Sequence, residues 1–432
     1  MTEPSQLTCC FCDSGLFLPL AQKLAPSFNR MLYWAEWQEA FPTINRRIIG
    51  DGFEVIERID DIWENKNEVD VFIFPDILRS GLQIELEAQG KLVWGSRNGD
   101  HLETNRGTFM RVLQEIGLPV PNFEQVTGLT ELRSVLHDRE DVYLKMSKYR
   151  GSFETCHWRS WSQDEGMLDA WAVKFGPLKD LMTFYVFDAL ATEIELGVDT
   201  FCIDGQFPNL MLHGLEAKDK GYLGGVMKRE DLPQQLQDVL TAFGPVLGKE
   251  RYRNAFSAEV RVVEGTGYFI DPTCRFPVPG SGAEMELIGN LPEIIVSGAA
   301  GELVEPEMTA QFAVECVLTA KSDKHGWCVV DFPHDVKPFV KCGDCCEVDG
   351  RICLPPDEKH DEEIGWIFAT GTTIEETVET MKSRVKLLPD GVHACTESLF
   401  DLLKEAHDAK SEGIEISDQP LPAPETALET TT

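Results

Sequence analysis

Strand-like and helix-like segments alternate through the first 97 residues of the chain. In order, they are a strand at 7–12, a helix at 16–25, a strand at 31–35, a strand at 69–76, a helix at 80–90 and a strand at 91–96. The centre of the segment VDVFIFPD at 69–76 is continuously apolar, which is typical of a strand buried on both faces of a parallel sheet. Repeated βα units of this kind predict an open, doubly wound sheet.

The chain of 432 residues is long enough for about three domains. A helix is predicted at 100–121, ended by Gly117 and Pro119, with Asp100 and Glu103 at capping-box spacing. We predict an α/β and α+β multidomain protein. Its predicted parts are a doubly wound N-terminal domain at 1–97, a second domain at 98–301, a small C-terminal α+β domain at 302–410 and a disordered acidic tail at 411–432.

The charge balance argues against two classes of partner. The chain has 39 basic and 73 acidic residues, a net charge of −34, which disfavours nucleic acid and anionic membranes as the main partners. No stretch has the apolar length of a membrane span, and the first residues, MTEPSQLTCCFCDSG, lack the pattern of a secretory signal. We therefore expect reduced thiols and a cytoplasmic location.

Four of the 13 cysteines are close together in KCGDCCEVDGRIC at 341–353, which raises the question of a zinc site. A second C-x-x-C or a pair of histidines at usable spacing is missing from the sequence, so the pattern disfavours zinc. The CCFC at 9–12 is more simply a buried strand.

A strand pair at 255–273 carries charged residues on either side of an EGTG turn. If the loop is the three residues 264–266, Val263 pairs with Gly267 and Glu259 lies opposite Asp271. Two adjacent carboxylates suit Mg²⁺ bound together with phosphates, and Arg275 could then reach a phosphoryl group. A loop of a different length by one residue would put the two carboxylates on opposite faces. The hairpin alone favours a solvated ladder of cross-strand charges over a metal site.

Two further segments point towards a nucleotide. Lys145 lies in the apolar strand VYLKMS at 142–147, where a structural lysine is unusual, and the basic segment 147–155 follows at once. The segment at 192–205 supplies acidic groups that suit an adenine amino group and ribose hydroxyls. These groups are Glu193, Glu195 and Asp199.

The order of these segments resembles the ATP-grasp superfamily and, within it, the glycinamide ribonucleotide synthetase family. The segments that carry the resemblance are ETNRGTFMRVLQEIGLPVP, YLKMSKYRGS, TEIELGVD, and Glu259 followed by DPTCRF. The resemblance spans residues 7–410 and identifies 98–301 as the ATP-grasp domain. It implies an ATP-dependent ligase of purine biosynthesis, a monomer or homodimer, that joins a small-molecule carboxylate to an amine through an acylphosphate.

The resemblance also implies roles for individual residues. The implied nucleotide contacts are Arg106, Lys145, Lys148, Arg150, Ser152, Glu193, Glu195 and Asp199. The implied ligands of Mg²⁺ (or Mn²⁺) are Glu259, Asp271 and Thr273. Lys145 and Arg275 would contact the transferring phosphate and are the implied catalytic residues.

The sequence departs from the family pattern at several places. Arg106 replaces a lysine, Thr273 replaces an asparagine, and the glycine-rich N-terminal loop expected to bind a ribose phosphate is reduced to DSG at 13–15. We therefore expect glycine and phosphoribosylamine to be a poor substrate pair. The alternative function is a nucleotide-binding scaffold that has lost catalysis.

Overall fold

The computed structural model describes residues 3–35, 48–147, 155–191, 194–321, 326–355, 363–411 and 413–414. The strands are β1 Thr8–Asp13, β2 Arg30–Ala35, β3 Glu57–Ile59, β4 Val71–Ile73, β5 Leu92–Trp94, β6 Phe123–Thr127, β7 Val142–Met146, β8 Thr155–Trp158, β9 Thr183–Asp188, β10 Glu195–Ile203, β11 Leu210–Ala217, β12 Gly221–Lys228, β13 Arg253–Val263, β14 Thr266–Thr273, β15 Phe312–Ala320, β16 Cys328–Val330, β17 Val340–Lys341, β18 Cys346–Val348, β19 Arg351–Leu354, β20 Glu363–Gly371 and β21 Val392–Ala394. The helices are α1 Leu18–Leu24, α2 Ile62–Asn65, α3 Ser80–Ala88, α4 His101–Thr104, α5 Arg106–Ile116, α6 Leu129–Leu136, α7 Trp161–Phe175, α8 Gln234–Lys249, α9 Ser281–Leu287, α10 Leu291–Ala299, α11 Ile374–Val385 and α12 Glu397–Ser411.

The predicted parallel sheet is confirmed. Within the described residues its strand order is β3-β2-β1-β4-β5, and every neighbouring pair is parallel. The central strand β1 is fully buried at Cys9, Cys10 and Phe11, as expected for a strand covered on both faces. The sequence analysis missed β3, because three residues beginning with an exposed glutamate give too short an apolar run. After β1 the chain adds β2 and β3 on one side of β1, and it then adds β4 and β5 on the opposite side. The strand order therefore reverses between β1 and β4.

In the other sheets, the strand pairs whose register is described are antiparallel. In the described part of the chain, one sheet has the order β14-β13-β10-β11-β12-β15-β20-β17, with β21 paired to β15. A second has the order β6-β9-β7-β8, and a third β16-β19-β18. The predicted fold class, a multidomain protein with α/β and α+β parts, is confirmed. None of the described helices is both long and apolar enough to cross a membrane.

The chain forms two compact units. One unit contains residues 1–98, 196–258 and 273–432, and is called unit 1 below; unit 2 contains residues 99–195 and 259–272. The core of unit 2 packs α6 and α7 on the four-stranded sheet through Trp158, Trp171 and Phe184, each of which is largely removed from water. Burial of a side chain of this size stabilises the fold by roughly 1.5–3 kcal/mol. The predicted domain boundaries remain a prediction.

The helix predicted at 100–121 is in fact two helices. Asn105 has an extended backbone (φ −124°, ψ 93°) and interrupts the helical path between α4 and α5. Its side-chain oxygen accepts a hydrogen bond from the Thr108 N–H, so Asn105 is the N-cap of α5, whereas the Asp100 side chain makes no cap bond. Gly117 ends α5 in the left-handed region (φ 77°), as predicted. The break makes Arg106 the first residue of α5.

Candidate active site

Asp271, on β14, is held by two cationic side chains of unit 2. Its Oδ1 accepts a hydrogen bond from Arg106 Nη2, and its Oδ2 accepts one from Lys145 Nζ. Arg106 is only 3% exposed and Lys145 8%, so both charges are almost removed from water. Burial by itself raises the pKa of Asp271, but the charges and hydrogen bonds of Arg106 and Lys145 outweigh it and hold that pKa well below its usual range. The three groups form an ionised cluster.

Local structure positions each member of this cluster. Arg106 begins α5, and its Nη1 also donates to the Ile270 carbonyl oxygen at 2.8 Å. One turn later Phe109 packs edge-on against Phe269 of β14, with ring centroids 5.0 Å apart, which fixes the helix against the strand. Lys145 lies on β7, between β9 and β8, where Tyr185 and Thr155 are its cross-strand partners.

The turn between β13 and β14 differs from the prediction. It has two residues, Glu264 (φ 49°) and Gly265 (φ 80°), and Thr266 already belongs to β14. Two successive left-handed residues are typical of the tight hairpin turn whose twist matches the strands. Such a turn aligns Val263 with Thr266, one residue away from the predicted register. The predicted three-residue loop is therefore wrong, and the cross-strand pairing of Glu259 with Asp271, which assumed that loop, stays a prediction.

The alternative interpretation of the hairpin, a solvated ladder of cross-strand charges, is also wrong for Asp271. That alternative required both carboxylates to face open solvent, but the Asp271 side chain is 25% exposed and bonded to buried cations. Arg261 instead pairs with Glu195 of β10, with 2.8 Å between Nε and Oε2. Glu259 is half-buried on β13. Its role as a metal ligand stays a prediction.

Asp199, in unit 1, is surrounded by uncharged donors. Its Oδ2 accepts from the Tyr222 hydroxyl at 2.5 Å, and its Oδ1 accepts from the Ser257 hydroxyl at 2.6 Å. Burial raises the pKa of Asp199, and the two hydrogen bonds partly offset this effect. Both carboxylate oxygens therefore already have partners inside the fold.

We expect Tyr222→Phe to lower the free energy of unfolding by about 1–3 kcal/mol, because it leaves a buried carboxylate oxygen without its donor. Chemical denaturation measures this change. Tyr268→Phe is the matched control, since Tyr268 is a half-buried tyrosine of β14 and is not a partner of Asp199. Equal stabilities of Tyr222→Phe and Tyr268→Phe would contradict the assigned hydrogen bond.

The sequence analysis missed two buried glutamates of unit 1. Glu315, on β15, accepts hydrogen bonds from the backbone N–H groups of Gly280 (3.0 Å) and Ala283 (3.1 Å) and so satisfies the first turn of α9. Burial raises the pKa of Glu315 to about 7 despite these bonds. Burial, together with the charges of Asp199 and Glu315, also raises the pKa of Glu284 well above its ordinary value. The available signal was an acidic residue inside the apolar strand FAVECVLTA, the same signal that singled out Lys145.

Arg275 lies beside the end of the parallel sheet in unit 1. Its Nε is 3.8 Å from Oδ1 of Asp76, and Asp76 follows β4. The next residue, Phe276, donates its N–H to the Pro75 carbonyl at 3.2 Å, which fixes the segment in place. Thr273 is the last residue of β14 and is half-buried. The roles predicted for Arg275 and Thr273 remain predictions.

Four predicted nucleotide contacts lie outside the described residues. They are Lys148, Arg150, Ser152 and Glu193. Among the residues that are described, no three His, Cys, Asp or Glu side chains are grouped closely enough to hold a metal ion by themselves. Asp271 itself offers carboxylate oxygens, the kind of ligand that suits Mg²⁺ when phosphate oxygens complete its coordination.

The chain has the fold of ATP-grasp enzymes, so the resemblance predicted from the sequence is confirmed at the level of the fold. It is similar to phosphoribosylamine–glycine ligase from Thermotoga maritima, with 16% identity, a TM-score of 0.67, and coverage of 90% of this chain and 99% of that one. It is also similar to the biotin carboxylase domain of 2-oxoglutarate carboxylase from Hydrogenobacter thermophilus (12% identity, TM-score 0.64, coverage 95% and 96%), which was solved with MgADP and bicarbonate.

A third similar structure is the L-amino acid ligase from Bacillus licheniformis, with 15% identity, a TM-score of 0.58, and coverage of 91% of this chain and 99% of that one. No protein-family model and no curated protein sequence matches the chain. The similarity therefore lies in the fold, and the residues of this chain must support any statement about its chemistry.

Proposed function

We propose that the chain is an ATP-dependent carboxylate–amine ligase. The observation that carries the proposal is the cluster of Lys145, Arg106 and Asp271 within an ATP-grasp fold. Two buried cations beside a carboxylate suit a phosphate chain bound with a divalent metal. A phosphorylase or a hydrolase needs no amine substrate. The similar ligases, such as the L-amino acid ligase, take an amine according to their names.

The proposed reaction has two steps. A substrate carboxylate oxygen attacks the γ-phosphorus of ATP, the bond to the β-γ bridging oxygen breaks, and ADP leaves. The amine nitrogen then attacks the carbonyl carbon of the acylphosphate, inorganic phosphate leaves with the bonding electrons, and the amine loses a proton. This chemistry needs no nucleophile from the protein, so positioning and charge stabilisation supply most of the catalysis.

Each predicted site residue has a proposed role. In unit 2, Lys145 and Arg106 stabilise negative charge on phosphate oxygens, Asp271 and Glu259 hold Mg²⁺ (or Mn²⁺), and Glu195 contacts the nucleoside. In unit 1, Asp199 contacts the nucleoside, Thr273 contributes to the metal site and Arg275 contacts phosphate. The metal, when bound, neutralises phosphate charge. The segment with Lys148, Arg150 and Ser152, and Glu193, are proposed to complete nucleotide binding.

A second candidate is a nucleotide-binding scaffold without catalysis. The observation that favours it is that both oxygens of Asp271 are already bonded, one to Arg106 and the other to Lys145. A metal ion at Asp271 would have to share the carboxylate with two cationic side chains, whose positive charges oppose its binding. For either candidate we propose small-molecule ligands, a monomer or homodimer, and a cytoplasmic location; a role in purine biosynthesis is proposed only for the ligase.

We expect MgATP to raise the melting temperature of the full chain, because a ligand that binds only the folded state stabilises it by about 2.7 kcal/mol at a concentration of 100 Kd. ADP formation is then measured with mixtures of carboxylic acids and amines. ADP that depends on both an acid and an amine supports the ligase. A thermal shift without such ADP formation supports the scaffold, and the absence of any shift contradicts both.

A further inference from the structure

The β1–α1 turn lies at the position in unit 1 where parallel sheets usually bind ligands. Strand order reverses between β1 and β4, and a crevice forms beyond the carboxyl ends of strands at such a reversal. Asp13 is the last residue of β1, and Asp76 follows β4 by three residues. Asp13 and Asp76 therefore lie at or beyond the ends of the strands on either side of this reversal, and Arg275 lies 3.8 Å from Asp76.

The side chain of Asp13 accepts hydrogen bonds from the backbone N–H groups that an anion would need at this turn. Its Oδ2 accepts hydrogen bonds from the N–H groups of Gly15 (3.0 Å) and Phe17 (2.9 Å), and from the Tyr33 hydroxyl (2.9 Å). Asp344 packs against the same turn. The Asp344 N–H donates a hydrogen bond to the Gly15 carbonyl at 2.9 Å, and a Cβ added to Gly15 would lie 2.2 Å from Oδ1 of Asp344. A phosphate at this turn would find its donors taken and would meet like charge.

The remaining oxygen of Asp13 is available as an acceptor. Asp13 is fully buried, and its Oδ1 has no hydrogen-bond partner among the described residues. Burial, and to a smaller extent the charges of Asp76 and Asp344, raise the pKa of Asp13 to about 6, although hydrogen bonds from the Ser14 backbone and the Tyr33 hydroxyl oppose this rise. A buried carboxylate oxygen without a donor, near two other acids, favours a cationic N–H group.

We infer that Asp13 makes this crevice select an amine substrate that carries a positive charge and no phosphate. Asp13 is thus a specificity-determining residue: one oxygen fills the anion position of the turn, and the other accepts from the ammonium group. The identification of the ligand as the amine substrate rests on the proposed ligase function. It gives a physical reason for the expected poor use of phosphoribosylamine.

Two probes of similar length test the inference on the full chain. One is 1,3-diaminopropane, which carries an ammonium group at each end, and the other is O-phosphoethanolamine, in which a phosphate takes the place of one of the two ammonium groups. Melting temperatures are measured at pH 7.5 and constant ionic strength in a buffer without phosphate. We expect a rise of about 2 °C or more with the diamine and none with the phosphate compound. An equal or larger shift with O-phosphoethanolamine overturns the inference.

Two variants separate the charge of Asp13 from its occupation of the turn. Asp13→Asn keeps an acceptor for the Gly15 and Phe17 N–H groups but removes the charge, so the diamine shift should disappear. Asp13→Ala frees both N–H groups, so a shift with O-phosphoethanolamine should appear. Asp61→Asn is the matched control, because Asp61 makes the same kind of bond to the Trp63 N–H (2.7 Å) at an exposed position after β3.

A rise in melting temperature with MgATP shows that each variant is folded. The same measurement separates this inference from the proposed function. If MgATP stabilises the parent chain and the diamine does not, the inference fails while nucleotide binding stands. Retention of the diamine shift in Asp13→Asn also overturns it. So does the absence of a phosphate shift in an Asp13→Ala protein that still responds to MgATP.

Discussion

Replacing Asp271 with Asn is expected to abolish metal-dependent ATP turnover and to lower the free energy of unfolding by about 3–5 kcal/mol. The structure predicts a cost, because Asp271 would no longer supply the negative charge that the buried side chains of Arg106 and Lys145 contact. Since the pKa of Asp271 lies below its usual range, its contribution is complete above the unfolded-state pKa of 3.8 and is lost only as pH falls through the lower folded-state value. The loss should therefore be the same at pH 6 and pH 8.

Asp188→Asn is the control for this experiment. Asp188 pairs with Arg139 in the same unit, but the two side chains are 46% and 35% exposed, so the change should cost no more than about 1 kcal/mol. Adding Lys145→Met to Asp271→Asn should restore part of the lost stability, because it removes one of the two buried cations that Asp271 contacts. Denaturation curves and ADP formation are the two measurements. Parent-like turnover by Asp271→Asn would show that Asp271 is not a metal ligand.

The parent chain is expected to lose stability as pH rises from about 4.5 to 7, and Glu315→Gln is expected to lose less. Burial raises the pKa of Glu315 from 4.5 to about 7, so the folded state holds its proton more tightly than the unfolded state. Stability from such a group is present below the unfolded-state pKa and is lost as pH rises through the folded-state pKa. The shift corresponds to at most about 3 kcal/mol at pH 8. Asp13 and Glu284 contribute with the same sign and remain in the variant.

The measurement is the free energy of unfolding of both proteins at several pH values between 4.5 and 8. Gln resembles protonated Glu in shape and charge, so the variant should follow the parent at low pH and fall less steeply above pH 5. Glu293→Gln serves as the control, because Glu293 is exposed on α10 and its replacement should leave the pH dependence unchanged. Identical slopes for the parent and Glu315→Gln would exclude a raised pKa for Glu315.

The sequence by itself determined the features that depend on local periodicity and composition. The βα alternation of residues 7–96 predicted the parallel sheet, because a strand buried on both faces must be apolar throughout. Lys145 stood out in the sequence, because a lysine in an apolar strand must have a partner to offset its desolvation, and Asp271 is such a partner. The order of segments predicted the ATP-grasp fold, which the solved structures share.

Only the tertiary structure decided which side chains meet. The hairpin register depended on whether the turn has two or three residues, and a difference of one residue changes which side chains lie opposite each other. Arg106 and Asp271 are 165 residues apart, and their pairing depends on how α5 packs against β14. In the same way, folding brings Glu315 to the start of α9, where it accepts a hydrogen bond from the Gly280 N–H. Asp13 accepts a hydrogen bond from the N–H of Gly15 in its own loop. The physical reason is that side-chain direction follows from the local backbone, whereas a partner for a buried charge is supplied by segments that only folding brings together.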